Sequence, residues 1–276
     1  MTDRRTALVV LGMHRSGTSS VAGTLALLGA RAPQTLMRPA SDNPKGFWES
    51  EVLATFNDRL LHAGSSTWHD WRRFDLTRIR ASLPDFRAEA ADKLTAEFGD
   101  AQLIVLKDPR ICRLFDFWRG VLEDSNYRVV VVSPLRSPAE VAASLMARNA
   151  MSRGHALRLW LRHVSDGERA SRNQPRRFLA WSDFIADWRV QVDKMGRELG
   201  IVFDRTTETE MRVDDFLSAE MKRQNANDSV PDQVRRAYQL LLLAARDGDH
   251  PDLQREMDAI HRAFDQACAL FADTPR

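Results

Sequence analysis

Short apolar runs recur along the chain, separated by longer stretches in which apolar residues return every three or four positions. The runs Ala7–Leu11, Gln102–Leu106, Arg128–Ser133 and Arg177–Ala180 have strand length. Helical period fills Gly17–Leu28, 50–62, 84–98, Ala139–Asn149, Ala156–Ser171, Phe184–Leu199, Asp232–Ala245 and Leu253–Phe271. This alternation predicts an α/β fold in which helices flank a central parallel β-sheet. It also predicts one domain over residues 1–276, with a helical insertion over 30–100 after the first strand–helix unit and a helical C-terminal part over 231–272. The insertion opens with the turn-rich "RAPQTLMRPASDNPKG". A segment of this length beside a ligand loop commonly walls a substrate cleft. The polar stretch "KRQNANDSVPD", Lys222 to Asp232, reads as a connection.

Composition narrows the partners. The 276 residues are 43% hydrophobic, enough for a substantial core, and 40 Lys+Arg against 38 Asp+Glu leave a net charge of +2. Such a balance speaks against a broad nucleic-acid surface, so an anion site has to be assembled from locally placed arginines. The two cysteines, Cys112 and Cys268, lie far apart without metal-ligand spacing, which points away from a disulfide framework and towards a cytoplasmic setting. Arg4 and Arg5 precede an apolar run that His14 and Arg15 cut short, and no small-residue cleavage site follows. No segment approaches the roughly twenty apolar residues that span a bilayer. The expectation is a soluble protein without an integral membrane segment; its oligomeric state is not legible.

The stretch "LVVLGMHRSGTSSVAGTLALLG", Leu8 to Gly29, reads as strand, tight loop and helix. It nearly spells the phosphate-binding G-x-x-x-x-G-K-[ST], from Gly12 through Gly17 to Ser19, but Thr18 replaces the lysine and Arg15 stands three residues earlier. Backbone N–H groups in such a loop face an anion, with the positive helix end behind them. His14, Arg15, Ser16, Gly17, Thr18 and Ser19 are therefore candidate ligands of a phosphate-like group. A second strand–loop–helix, "RVVVVSPLRSPAEVAASLMARN", offers Arg136 at the loop and Ser144 about two helical turns on. Pro138 suits the first helical turn.

"GMHRSGTS" resembles the loop with which the sulfotransferase family cradles the 5′-phosphosulfate of 3′-phosphoadenosine 5′-phosphosulfate (PAPS), and "LRSPAEVAASL" resembles that family's 3′-phosphate element. "DNPKGFWES", "VLKDPR" and "LWLRHVSDGER" are similar to stretches of bacterial carbohydrate-type and Golgi-type sulfotransferases. The resemblance covers roughly Leu8–Leu199. It implies a sulfotransferase variant of the P-loop NTPase-like fold, PAPS as donor, 3′-phosphoadenosine 5′-phosphate as product, and a hydroxylated acceptor, with a glycan or other carbohydrate as the leading class.

Sulfuryl transfer requires cations at the sulfonate and the leaving phosphate, and a base for the acceptor hydroxyl. Arg15 belongs to the loop. Lys107 ends the strand in "QLIVLKDPR", at the sheet edge where open α/β folds bind ligands, and it matches the lysine of the Lys-Asp-Pro motif in protein-tyrosine sulfotransferases. Asp108 and Arg110 are candidates to orient it. By the same resemblance Glu49, in "NPKGFWES", is the candidate base, with His62 and His69 as competitors. Trp48, Trp68 and Trp71, with Arg72 and Arg73 beside them, are candidate sugar contacts. Trp181 stands where the family usually has tyrosine. No cluster of His, Asp and Glu with ligand spacing accompanies the loop, so catalysis is expected without a metal. The competing readings are a P-loop kinase or nucleoside triphosphatase with Asp108 on Mg²⁺, and a nucleotide or sulfated-glycan binder without turnover.

Overall fold

The computed structural model describes residues 4–41, 43–218 and 229–270. Its sheet has four parallel strands, β1 (Arg5–Val10), β2 (Leu103–Lys107), β3 (Tyr127–Leu135) and β4 (Arg176–Ala180), in the order β2-β1-β3-β4. Val10 is paired with Lys107 and with Val132, and Leu135 with Ala180, so the strands end along one carboxyl edge. The chain leaves β1 for β2 on one side and reaches β3 on the other. The crevice above β1 and β3 is thus a topological switch point, the usual ligand position in open α/β sheets.

The described residues include eleven α-helices: α1 (Thr18–Leu27), α2 (Glu51–Ala63), α3 (Leu83–Phe98), α4 (Ile111–Asp124), α5 (Pro138–Asn149), α6 (Arg153–Ala170), α7 (Trp181–Ala186), α8 (Trp188–Leu199), α9 (Thr207–Leu217), α10 (Asp232–Asp247) and α11 (Pro251–Ala269). Alternation along β1 decides which helices cover which face. Ala7 and Val9 pack with α2, α3 and α4, whereas Leu8 and Val10 pack with α1, α8 and α9. A third apolar cluster joins α5 and α6 to α10 and α11. The insertion therefore does more than border a cleft, because α2 and α3 cover one face of the sheet.

All four strands and the expected helices form, with three differences. The single helix expected over Phe184–Leu199 is two, α7 and α8. Asp187, at φ −153° and ψ 87°, breaks the run, and its carboxylate caps α8 through Val190 N at 3.1 Å. The other two are the unforeseen helices α4 and α9. Lys222–Asn227 and Asp228 of the polar connection, and Phe271 at the end of the last predicted helix, lie outside the described residues. None of the described helices is long and apolar enough to cross a membrane.

Candidate functional site

The loop after β1 is shaped by two left-handed residues, Arg15 at φ 69° and Gly17 at φ 82°. Arginine rarely adopts that conformation, and such strain tends to persist where surrounding structure imposes it. Gly17 precedes α1 and has no side chain to cap it, so the first-turn N–H groups keep their capacity for an anion. Trp181 covers the loop from the side. A Cβ on Gly17 would lie 2.2 Å from its ring, which also faces the Arg136 guanidinium at 5.9 Å. Trp181 is thus a wall of the loop.

The two anion elements meet. Arg15 Nε donates to Ser144 Oγ at 2.8 Å, and Arg136 Nη1 reaches Arg15 O at 3.4 Å while its Nε pairs with Glu140 at 2.7 Å. Loop and second element thus form one continuous basic surface above β1 and β3.

Glu49 is fixed by its backbone before its side chain. Met37 N donates to Glu49 O at 2.8 Å, Glu51 N donates to Thr35 O at 2.8 Å, and Ser50 caps α2 through Leu53 N at 3.0 Å. Thr35 is held in turn by the buried Glu97 carboxylate on α3. The Glu49 side chain turns away from the helix and forms an ion pair with Lys107, both being only 4% exposed. Lys107 Nζ also donates to Phe47 O at 3.0 Å and Ser19 Oγ at 3.3 Å. Burial raises the Glu49 carboxyl above the ordinary carboxylate range, outweighing the pull of Lys107 and Arg110.

Behind the pair stands a buried polar relay. Trp118 Nε1 donates to Asn57 Oδ1 at 2.8 Å, and Asn57 Nδ2 donates to Asp108 Oδ2 at 3.0 Å. Indole can only donate, so the Asn57 amide has one sensible orientation and Asp108 must accept. Asp108 Oδ1 accepts from Arg110 N and Nη1, at 2.9 and 3.0 Å, while Asp58 takes the other edge of that guanidinium. Burial works against the Arg110 cation, but Asp108 and Asp58 prevail and its pKa rises. Its Nη1 is left 3.9 Å from Glu49 Oε2.

The cleft brings together His14, Arg15, Gly17, Thr18, Ser19, Glu49, Lys107 and Arg136. Ser16 is buried beneath it with its hydroxyl unpartnered. Burial first, then neighbouring charges led by Arg110, hold the His14 imidazole well below its ordinary pKa, so it is neutral at pH 7. Sequence reasoning missed Asn43, Phe47, Pro109 and Arg148, which also line the cleft. Arg148 lies one helical turn beyond Ser144, a spacing that signals its face.

Other candidates lie elsewhere. His62 and His69 are exposed and do not line the cleft. Trp48 packs against Phe216 and over Gly23, Trp68 against His14 at 4.9 Å between centroids, and Trp71 under Arg158 at 5.1 Å. None of the three lines the cleft, so their geometry supplies no sugar platform there. Arg72 is bound to Asp70, and Arg73 faces a different cavity. Among the described residues no group of three or more His, Cys, Asp or Glu is placed to hold a metal ion.

The cleft gathers the hydroxyls of Thr18 and Ser19, the N–H groups at the start of α1 and the guanidiniums of Arg15 and Arg136, donors that suit an anion, while Ser144 does not line it. No protein-family model matches the chain, and no curated protein matches it. Solved structures to which it is similar include sulfotransferase STF1 from Mycobacterium tuberculosis H37Rv, at 15% identity over 76% of this chain and 71% of that one, with a TM-score of 0.46. The sulfotransferase domain from the curacin biosynthetic pathway is 12% identical over 86% of this chain and 97% of that one, with a TM-score of 0.48. Mouse sulfotransferase SULT7A1 complexed with PAP is 13% identical over 100% of this chain and 90% of that one, with a TM-score of 0.41.

Proposed function

We propose that the chain is a single-domain sulfotransferase that takes its sulfuryl group from PAPS and passes it to a hydroxyl acceptor of the carbohydrate class. The observation that carries the reading is the convergence of two anion elements on a buried Glu49–Lys107 pair at the sheet's switch point. In this reading the backbone of Arg15–Ser19 and the α1 terminus hold the 5′-phosphosulfate, and Arg136 with Ser144 holds the 3′-phosphate. Arg15 and Lys107 balance the charge on the sulfonate and the leaving phosphate as the new S–O bond forms and the bridging S–O bond breaks. Glu49 accepts the proton from the acceptor hydroxyl, and its raised pKa strengthens it as a base.

Lys107 separates this reading from a kinase. Its ammonium pairs with Glu49 and reaches Ser19 Oγ at 3.3 Å, a cation beside the hydroxyl that holds Mg²⁺ in P-loop enzymes, and the Asp108 carboxylate is already taken by Asn57 and Arg110. The test is calorimetry with 3′,5′-adenosine bisphosphate against adenosine 5′-monophosphate, followed by radiolabelled donor with acceptor extracts. Preference for the bisphosphate and label in a hydroxylated product are expected. Equal affinities would remove the 3′-phosphate site, and ATP-dependent transfer would replace the reading with a kinase.

A further inference from the structure

A second cavity, of about 420 Å³, lies between the insertion, α4, α6 and α11, away from the cleft. Its walls carry four arginines from separate parts of the chain: Arg73 before the short 3-10 turn Leu76–Ile79, Arg113 and Arg119 on α4, and Arg169 on α6. Arg113 is only 7% exposed and has no carboxylate within ion-pair distance among the described residues. Its guanidinium donates instead to Thr67 O at 2.8 Å, Arg72 O at 2.8 Å and Ser66 Oγ at 3.3 Å, and its Nε is left without a partner. Burial lowers its pKa, the signature of a cation short of compensation. The side chains of Arg73 and Arg169 make no hydrogen bond or ion pair among the described residues, and their charges act on Asp75 and Asp258 from a distance.

The acids on the same walls are occupied. Asp75 accepts from Thr77 N at 2.9 Å, Asp116 pairs with Arg119 at 3.3 Å, and Asp166 is held by Arg162 at 3.1 Å. Guanidinium donors therefore outnumber the carboxylate oxygens open to them. Phe74 and Phe115 add apolar wall, and the volume falls in the range of small-molecule sites.

From this arrangement we propose that the cavity is a binding site for a small organic phosphate or sulfate monoester, its ester on Arg73, Arg113 and Arg169 and its ring against the phenylalanines. Guanidinium forks match the oxygens of such an ester, and the apolar wall favours an organic body over a bare ion. The site rests on neither the donor nor the reaction proposed above. A chain of contacts joins it to the cleft, because the loop that Arg113 holds carries Trp68, which packs on His14.

The test is isothermal titration of the full chain with glucose 6-phosphate, glucose 6-sulfate and inorganic phosphate. Binding of either ester is expected, weakened about tenfold or more in Arg73→Glu/Arg169→Glu, as loss of charge-assisted hydrogen bonds implies, and retained in Arg136→Ala. Neither side chain makes a hydrogen bond or ion pair among the described residues, so the melting temperature should fall by only a few degrees, through lost attraction to Asp75 and Asp258. The milder Arg73→Gln/Arg169→Gln should weaken binding less. Absence of ester binding at millimolar concentration overturns the proposal. So does binding lost in Arg136→Ala but kept in the charge-reversed variant, which would belong to the cleft. Inorganic phosphate binding as tightly as both esters would overturn the organic part of the assignment.

Discussion

Arg15 and Ser144, 129 positions apart, are joined by a hydrogen bond of 2.8 Å between Nε and Oγ. The bond ties the loop that follows β1 to α5, the helix that follows β3. Ser144→Ala should weaken bisphosphate binding and loosen Arg15. Arg136→Ala should remove most of the preference over adenosine 5′-monophosphate, about tenfold or more for a charge-assisted contact. Calorimetry on both variants checks this. An unchanged preference in Arg136→Ala would show that the 3′-phosphate does not rest there.

Gly17→Ala should damage the loop for two separable reasons. The added Cβ meets Trp181 at 2.2 Å, and the left-handed backbone disfavours any side chain by roughly 1–2 kcal/mol. Thermal melts should show Trp181→Ala restoring part of the lost stability in the double variant, because only the collision is relieved. Full restoration would mean that the backbone conformation carries no penalty.

Glu49→Gln should lower turnover by about 10²–10⁴-fold, the range for a positioned base, while donor affinity changes little. The glutamine oxygen still accepts from Lys107, so its melting temperature should exceed that of Glu49→Leu, which strands a buried ammonium at a cost of roughly 3 kcal/mol. The Glu49 pKa lies above its unfolded value. Its contribution to stability is therefore fully present below the unfolded value and is lost as pH rises through the folded one. Activity runs the other way, since the base must be ionised. The kcat/KM profile should rise through a value above the ordinary carboxylate range, and Glu49→Gln should lack that limb.

His163 should make the fold acid-sensitive. The ring is fully buried, Nδ1 donates to Leu159 O at 2.9 Å, and burial first, then Arg113, pushes its pKa down to about 3. The unfolded chain binds that proton near pH 6.5. Stability is therefore complete above about pH 6.5 and is lost as pH falls towards 3, by at most on the order of 5 kcal/mol. Denaturant melts across that window should flatten in His163→Asn; an unaltered slope would assign the sensitivity to other groups.

Turnover should persist in a chelator, because the proposed chemistry draws its positive charge from Arg15 and Lys107. Complete loss restored by Mg²⁺ would move the chain to metal-dependent phosphoryl transfer.

The strands, most helices and the two loops were legible because their signals are local: apolar runs, helical period, glycine and proline at turns. α4 was equally readable in principle, since Ile111, Leu114, Phe115, Trp118, Val121 and Leu122 follow helical spacing, but Pro109 and its charged neighbours disguise its start. Candidate site residues from Arg15 to Lys107 could be chosen by type and position. What they touch could not, because those contacts join distant positions. Asn57 looks like one more polar residue on α2 until α4 and the loop after β2 bring Trp118 and Asp108 to its two ends. The tryptophans misled for the reverse reason, since proximity in sequence did not place them on one wall.

Arg162 sets a limit on how this chain can be rearranged. Its fully buried guanidinium donates to Trp71 O in the insertion at 2.9 Å, to Asp166 on its own helix at 3.1 Å and to Asp265 on α11 at 2.6 Å, and it lies over the Phe264 ring. Neither partner segment can be exchanged alone. A chimaera that imports a foreign insertion but keeps α11, or the reverse, inherits one half of a lock and leaves a buried cation facing the wrong key. Exchanging residues 64–75 and 251–269 together is the graft that respects this joint.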